Sequence, residues 1–329
     1  MSITWTTGLQ STWCPGLNAV SGVPRTVGLR AWLAKGNYQI YSAPTSTLTE
    51  LDYVAGHDLL VGLANEVNRF TQAMLESFQS LSIVQGLPKS AGWRVIKTYY
   101  SAFYAAHAIL RMTGQSLLNL DGPSKTVLNR LTTAFGYTPV VVNGFYHATL
   151  KPSDKKLELK KVSLNQGGSH EAMWSQFASW VRNASTHVLS NRTIPAIEAQ
   201  QIASGLIALE GALRSENSNG AWLSRVRNRV TYRQEMGVWY PYQRSTGALN
   251  LSIPMGLAAP AIEARQLATT KEPLMLFYRA CRTIVALCLE FCHEMAGRCQ
   301  NGRSFHDFGI LALEAIISGH AKTRSGLAG

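Results

Sequence analysis

The sequence predicts a mainly α protein. Its core is an antiparallel helical bundle, with a mixed insertion at about residues 115–220 and an irregular, partly β segment at residues 1–50. Three observations lead there. Apolar residues recur at helical spacing over long windows, as in Leu59, Leu60, Leu63, Val67, Phe70 and Met74. Gly and Pro fall between such windows: Gly86, Pro88 and Gly92 mark one break, Gly114 another. The apolar share of 46% over 329 residues supports a sizeable core.

Taken in order, residues 1–50 hold Trp5, Trp13 and Trp32 among many Gly and Thr and few charges, without helical periodicity. Short strands are expected at Thr26–Leu33 and Tyr38–Tyr41. Pro44-Thr45-Ser46-Thr47 reads as a turn, and one of Ser46, Thr47 or Thr49 as the cap of a helix from Leu51 to Leu81. Residues 51–329 form the bundle and its insertion. An aromatic helix spans about 91–113. Within the insertion, Ser124–Ala134 is a short helix, Pro139–Val142 a strand candidate, and Lys156-Leu157-Glu158-Leu159-Lys160 alternates like an exposed hairpin strand. Lys151–Val162 holds five lysines, which serve either as a solvated loop or as a nucleic-acid contact. Helices follow at His170–Leu189 and Ile194–Glu216, then a basic helix at 221–236 stopped by Gly237. The last two run over 272–299 and Phe305–Ile317.

The basic helix places Arg225, Arg227, Arg229 and Arg233 in ten residues without an acid. Arg225, Asn228, Arg229 and Tyr232 share one face, and Arg227 lies on a neighbouring one. Like charges this close repel unless an anion absorbs them. The helix is therefore either a solvated face with long stems over apolar surface or a phosphate-binding element, since planar Arg forks match phosphate oxygens. On the aromatic helix Tyr100, Phe103, Tyr104, His107 and Arg111 fall on one face, either as core or as a working surface.

The order Arg227-Asn228, three residues, Tyr232 resembles the signature of HEPN domains, in which Arg, a polar residue, a few further residues and a His recur. Tyr232 stands here at the His position. The stretch Lys97–Leu110, with Tyr99-Tyr100, Ser101-Ala102 and Phe103-Tyr104, resembles the second helix of HEPN bundles. The resemblance implies a HEPN-like bundle that forms a homodimer, with the Arg-Asn helices facing each other across the two-fold axis. It implies RNA as partner, together with an operon-encoded defence or antitoxin partner, and neither metal nor cofactor.

Two functions are consistent with this. One is a metal-independent endoribonuclease of a phage-defence or toxin system, in which a ribose 2′-OH attacks the adjacent phosphate. Paired Arg227 side chains would then meet the phosphorane charge, Asn228 would orient the phosphate, and Tyr232 or His107 would handle protons. The other is a non-catalytic module that binds nucleic acid, nucleotide or a partner protein. The second gains from the Tyr-for-His change, because an ordinary Tyr, with a pKa of about 10, exchanges few protons near neutrality. Arg225, Arg229, Arg233, Lys97, Tyr104 and Arg111 are the expected nucleic-acid contacts in either case.

Composition fits a polyanion partner. The net charge is +12. Residues 1–90 carry five basic and five acidic residues, while 91–220 and 221–329 each carry 13 and 7. No run of 18 apolar residues occurs, so no membrane span is expected, and Met1-Ser2-Ile3-Thr4-Trp5 lacks the layout of a secretory signal.

Cys281, Cys288, Cys292 and Cys299 line one helical stripe spread over about 27 Å. That is too far for one zinc ion, and their parallel directions disfavour disulfides. They read as core residues or as a contact across a dimer axis, and the cysteine pattern points to the cytoplasm. His293-Glu294 lacks the second His of a zinc-protease helix, and no phosphate-loop, dinucleotide or serine-hydrolase signature is present.

Overall fold

The structure is a computed structural model that describes residues 4–20, 27–53, 56–85, 91–163, 168–239 and 258–299, and positions 305, 309, 313 and 314 beyond them. Its helices are α1 (Trp5–Leu9), α2 (Leu29–Lys35), α3 (Gly56–Gln85), α4 (Ala91–Met112), α5 (Gly122–Ala134), α6 (Ser169–Ser190), α7 (Ala196–Leu213), α8 (Trp222–Tyr232), α9 (Pro260–Thr269) and α10 (Pro273–Gly297). Its strands are β1 (Gln39–Ile40), β2 (Leu48–Asp52), β3 (Gln115–Leu120), β4 (Gly144–Lys151) and β5 (Lys156–Lys161). The protein is thus mainly helical, with a small antiparallel sheet. No helix among the described residues is long and apolar enough to cross a membrane.

The chain divides into two compact units, with the division falling inside α3, α4 and α10. The first comprises Met1–Thr12, Ala73–Ala106 and Gln166–Phe291. Its centre is the pairing of α6 with α7, with α1, α8 and α9 placed around it. Trp174, Phe177 and Trp180 of α6 and Leu206, Leu209 and Leu213 of α7 are all buried. Each recurs at three- or four-residue spacing, so one stripe of each helix faces the core.

The turn into α8 is built from left-handed positions, Glu216, Asn217, Asn219 and Gly220, and Ser218 Oγ donates to Leu213 O at 2.9 Å. Gly220 is required there. Its φ is +95°, and a Cβ would lie 2.7 Å from Ala178 Cβ on α6, so any side chain would push α8 away. Past α8 the chain returns on itself. Trp239 Nε1 donates to Val230 O at 2.8 Å, and Gly92 N at the head of α4 donates to Val238 O at 3.1 Å. These bonds fix α8 beside the first turns of α4.

The second unit comprises Trp13–Gln72, His107–Asn165 and Cys292–Gly329. Its sheet runs in the order β1-β2-β5-β4-β3, antiparallel throughout, with α2 and α5 against each other and against its strands. Alternation gives the sheet a buried face. Leu51, Leu157, Leu159, Ala148 and Leu150 point inward, while Glu50, Glu158 and Lys160 stay outward. The register pairs Leu51 with Leu157 and Ala148 with Leu159. A slip of one residue would turn Leu157 and Leu159 to the outer face and Glu158 inward, so burial holds the strands in place.

The structure corrects several expectations. Residues 29–33 are helix α2 rather than strand, because Leu29, Trp32 and Leu33 bury at helical spacing, with α2 packed on α5. Leu51 and Asp52 belong to β2, and α3 starts only at Gly56, because β5 supplies the partner that makes those residues a strand. Pro139–Val142 is irregular, and the strand comes after it as β4. The expected hairpin strand exists as β5, but it lies between β2 and β4 instead of at an edge. The basic helix ends at Tyr232, where Arg233 caps it, four residues before the expected end. Most of the helix expected at Phe305–Ile317 lies outside the described residues. Cys281, Cys288 and Cys292 are buried thiols outside any disulfide, as core residues should be.

Within the first unit, Glu263 of α9 and Arg282 of α10 form an ion pair at 2.6 Å, with both side chains buried. Breaking such a pair leaves a charge stranded away from water. Glu263→Leu should therefore cost about 3–5 kcal/mol of stability, measured by urea unfolding, whereas Glu263→Leu with Arg282→Met should recover most of that loss.

Candidate anion-binding site around Arg227

Arg227 lies on the inner side of α8 and is only 6% exposed. Its guanidinium carbon sits 5.2 Å from the ring centre of Tyr99, 5.9 Å from that of Tyr100 and 5.8 Å from that of Tyr232. Aromatic faces attract a cation through the ring quadrupole, but they do not neutralise it. Arg227 Nη1 donates to Tyr232 Oη at 3.4 Å, and Nε is buried without a hydrogen-bond partner. No carboxylate among the described residues pairs with it. Leaving a buried charged donor unmet costs more than the roughly 1–3 kcal/mol of a neutral one. Among the described residues the charge of Arg227 is therefore unmatched.

The remaining arginines of α8 differ. Arg229 pairs with Glu235 at 2.6 Å and with Glu216 at 3.3 Å. Arg233 reaches Glu235 at 3.9 Å, and Arg225 Nη1 donates to the backbone oxygen of Glu216. Those three are solvated or already paired. Two acids distant in sequence from the motif, or just past it, absorb the repulsion the sequence displays.

Opposite Arg227 stands a buried network on α4 and α6. Tyr99 Oη lies 2.8 Å from His170 Nδ1, and Trp174 Nε1 donates to the same oxygen at 3.0 Å. His170 stacks on Phe103 with centroids 4.4 Å apart and meets Tyr100 edge-on at 6.2 Å. Burial raises the Tyr99 hydroxyl to about 12, against the opposing pull of Trp174, Arg227 and Ser224. Burial, and then the nearby charge of Arg227, lower His170 to about 4, so its imidazole is neutral at pH 7.

The other sequence candidates are placed as follows. Asn228 is half-buried beside Arg227 and makes no hydrogen bond to a described residue. Tyr232 is 73% exposed. Lys97 Nζ donates to Ser80 Oγ at 2.9 Å, and Tyr104 rests against Tyr100 and Phe103. His107 and Arg111 belong to the second unit. There Arg111 forms a buried pair with Glu66 and contacts His107, and both stack on Phe70. This ties His107 and Arg111 into a structural cluster of their own.

Sequence reading missed His170, Tyr99 and Trp174 as site residues. His170 belongs to no motif, and its only signal was its place at the head of a predicted helix. Among the described residues no group of three or more His, Cys, Asp or Glu is placed to hold a metal ion. A separate groove of about 500 Å³ lies between α7 and α9, lined by Trp5, Ile197, Gly205, Ala264 and Arg265 among others. Compared with protein-family models, curated proteins and solved structures, the chain matches none.

The depressed His170 has a consequence for stability. Between pH 6.5 and about 4 the unfolded chain binds a proton that folded His170 does not. Its contribution is fully present above pH 6.5 and is lost as pH falls toward 4. Urea midpoints of the native chain and of His170→Gln should therefore run parallel above pH 6.5, with the native chain falling more steeply below it. Equal slopes would mean that the imidazole is not held neutral.

Proposed function

We propose that the protein binds RNA by its phosphate backbone at Arg227 and cuts it as a metal-independent endoribonuclease of a defence or toxin system. One observation carries the phosphate reading: Arg227 is a buried guanidinium with an unpartnered Nε and no carboxylate among the described residues, while Arg229 and Arg233 on α8 have acidic partners. A phosphodiester supplies the missing anion in planar, fork-matching geometry. The resemblance of Arg227-Asn228 and of the aromatic helix to HEPN domains supports the choice of RNA and the homodimer with Arg227 of each copy near the two-fold axis. The net charge of +12 supports it as well.

In the proposed chemistry the 2′-OH attacks the adjacent phosphorus, the bond to the 5′ oxygen breaks, and the products end in a cyclic phosphate and a 5′-OH. Arg227 meets the phosphorane charge and Asn228 orients the phosphate. Exposed Trp93, with Trp239 edge-on against it at 5.9 Å, and exposed Tyr232 offer ring faces for unpaired bases. The alternative is a non-catalytic module that holds RNA or an operon-encoded partner through the same cation. It is favoured by Tyr232, an exposed hydroxyl where a proton-exchanging His would stand.

Three measurements test this. RNA affinity should fall with rising salt and drop at least about tenfold in Arg227→Gln, with the fold intact by circular dichroism. Trp93→Ala should weaken binding by about 1–3 kcal/mol if bases stack there. RNA incubated with the native chain in EDTA should yield cyclic-phosphate and 5′-OH ends, and Tyr232→His should keep or raise the rate. Binding without any cleavage by either chain would leave the module reading. Absence of RNA binding at low salt would overturn the RNA reading and leave only a module that holds an operon-encoded partner.

A further inference from the structure

The hydrogen bonds around Tyr99 assign the tautomer of His170. Trp174 Nε1 can only donate and bonds the Tyr99 oxygen at 3.0 Å, and the Arg227 guanidinium, also a pure donor, bears on the same oxygen. With its lone pairs turned to those donors, the phenol has its single proton left for His170 Nδ1, 2.8 Å away. Neutral His170 therefore carries its own proton on Nε2. That nitrogen has no hydrogen-bond partner among the described residues, and the residue is half-exposed.

His170 is the second residue of α6, a 22-residue helix whose first turn has no side-chain cap, since Gly168 precedes it. Glu171 N donates to Gly168 O at 3.0 Å, and the helix start adds positive potential near His170. Tyr99 thus touches both the Arg227 guanidinium and His170, whose Nε2–H is left for another acceptor at the start of α6.

We propose that Arg227 and His170 form a proton-linked phosphodiester site, in which His170 donates its Nε2–H to the anion held by Arg227 and gains a second proton from solvent when that anion binds. The inference rests on the phosphate reading of Arg227 and adds to it the second recognition group and its dependence on pH. Among the described residues, the charged and titratable groups around His170 are Arg227 on α8, the hydroxyls of Tyr99 and Tyr100 on α4, and Glu171, next to it in the chain on α6. Arg227 is the charge that opposes protonation, along with burial. An anion lying on Arg227 cancels that charge, so imidazolium becomes favourable only in the loaded site. By linkage the anion then binds more tightly as pH falls, by the same factor by which it favours the proton.

Sulfate serves as the probe, because its charge is constant across the relevant pH range, with a deoxydinucleotide phosphodiester as the second ligand. The His170 ring nitrogens are followed by NMR on the full chain. Without ligand the midpoint should lie near 4. With saturating sulfate or dinucleotide it should rise by about one unit or more, matched by about tenfold tighter binding at low pH. Arg227→Gln should abolish the ligand-induced shift. Tyr99→Phe should raise the ligand-free midpoint, because the neutral tautomer loses its donor. His170→Gln, which keeps an N–H donor, should still bind sulfate, with an affinity that no longer changes with pH. Arg227-dependent binding with an unmoved His170 midpoint would overturn the proton linkage and leave the phosphate reading standing. Failure of both ligands to bind the native chain would overturn the two together.

Discussion

The interaction on which the first unit turns is the guanidinium of Arg227 held against aromatic rings, with no carboxylate among the described residues to pair with it. An arginine this deeply buried ordinarily brings an acid with it, as Arg282 brings Glu263 and Arg111 brings Glu66. Those two pairs close on themselves, so each is an end point: charge meets charge, and nothing further is needed. Arg227 instead rests on the π faces of Tyr99, Tyr100 and Tyr232, which give partial compensation and leave Nε unmet. The surrounding elements follow from that placement. Gly220 lets α8 approach α6, Trp239 ties α8 to α4, and Tyr99 stands where α4, α6 and α8 meet.

Charge on α8 is sorted by depth. The outer arginines, Arg225, Arg229 and Arg233, sit in water with Glu216 and Glu235 within reach, and such exposed pairs contribute little, typically about 0–1 kcal/mol. The inner one lies where the dielectric is low and each interaction counts for more. The same low dielectric keeps His170 neutral beside a cation and holds the Tyr99 proton firmly. A polar network of this kind is specific because its donors and acceptors are fixed by neighbours rather than by solvent. Trp174, itself fully buried, orients Tyr99, and Tyr99 orients His170.

The second unit shows the converse. Its sheet joins β2, from the N-terminal segment, to β5 and β4, from the stretch the sequence marks as inserted. Neither stretch can bury its apolar face alone. Leu51 finds Leu157 across the strand pair, and Ala148 finds Leu159. Pairing of strands so distant in the chain is a tertiary event, which is why the alternation in Lys156–Lys160 was readable while its central position in the sheet was not.

What the sequence determined by itself was local. The apolar stripes of α3, α4, α6, α7 and α10 and the breaks between them follow from side-chain periodicity and from Gly and Pro, which act within a few residues of where they stand. The burial of Cys281, Cys288 and Cys292 followed from the same spacing, whereas Cys299, past the end of α10, is only partly buried. Arg227 and Tyr232 were legible as a motif, since they lie on one short helix. What the tertiary structure decided was everything that depends on a partner far along the chain. Residues 29–33 became helix because α5 covers them, and Leu51 became strand because β5 pairs with it. Among the described residues Arg227 became the buried cation without a carboxylate, because burial and the positions of Glu216 and Glu235 are set by packing. His170 entered the site from another helix. No rule of spacing joins it to Arg227, because the tyrosine that holds both comes from a third.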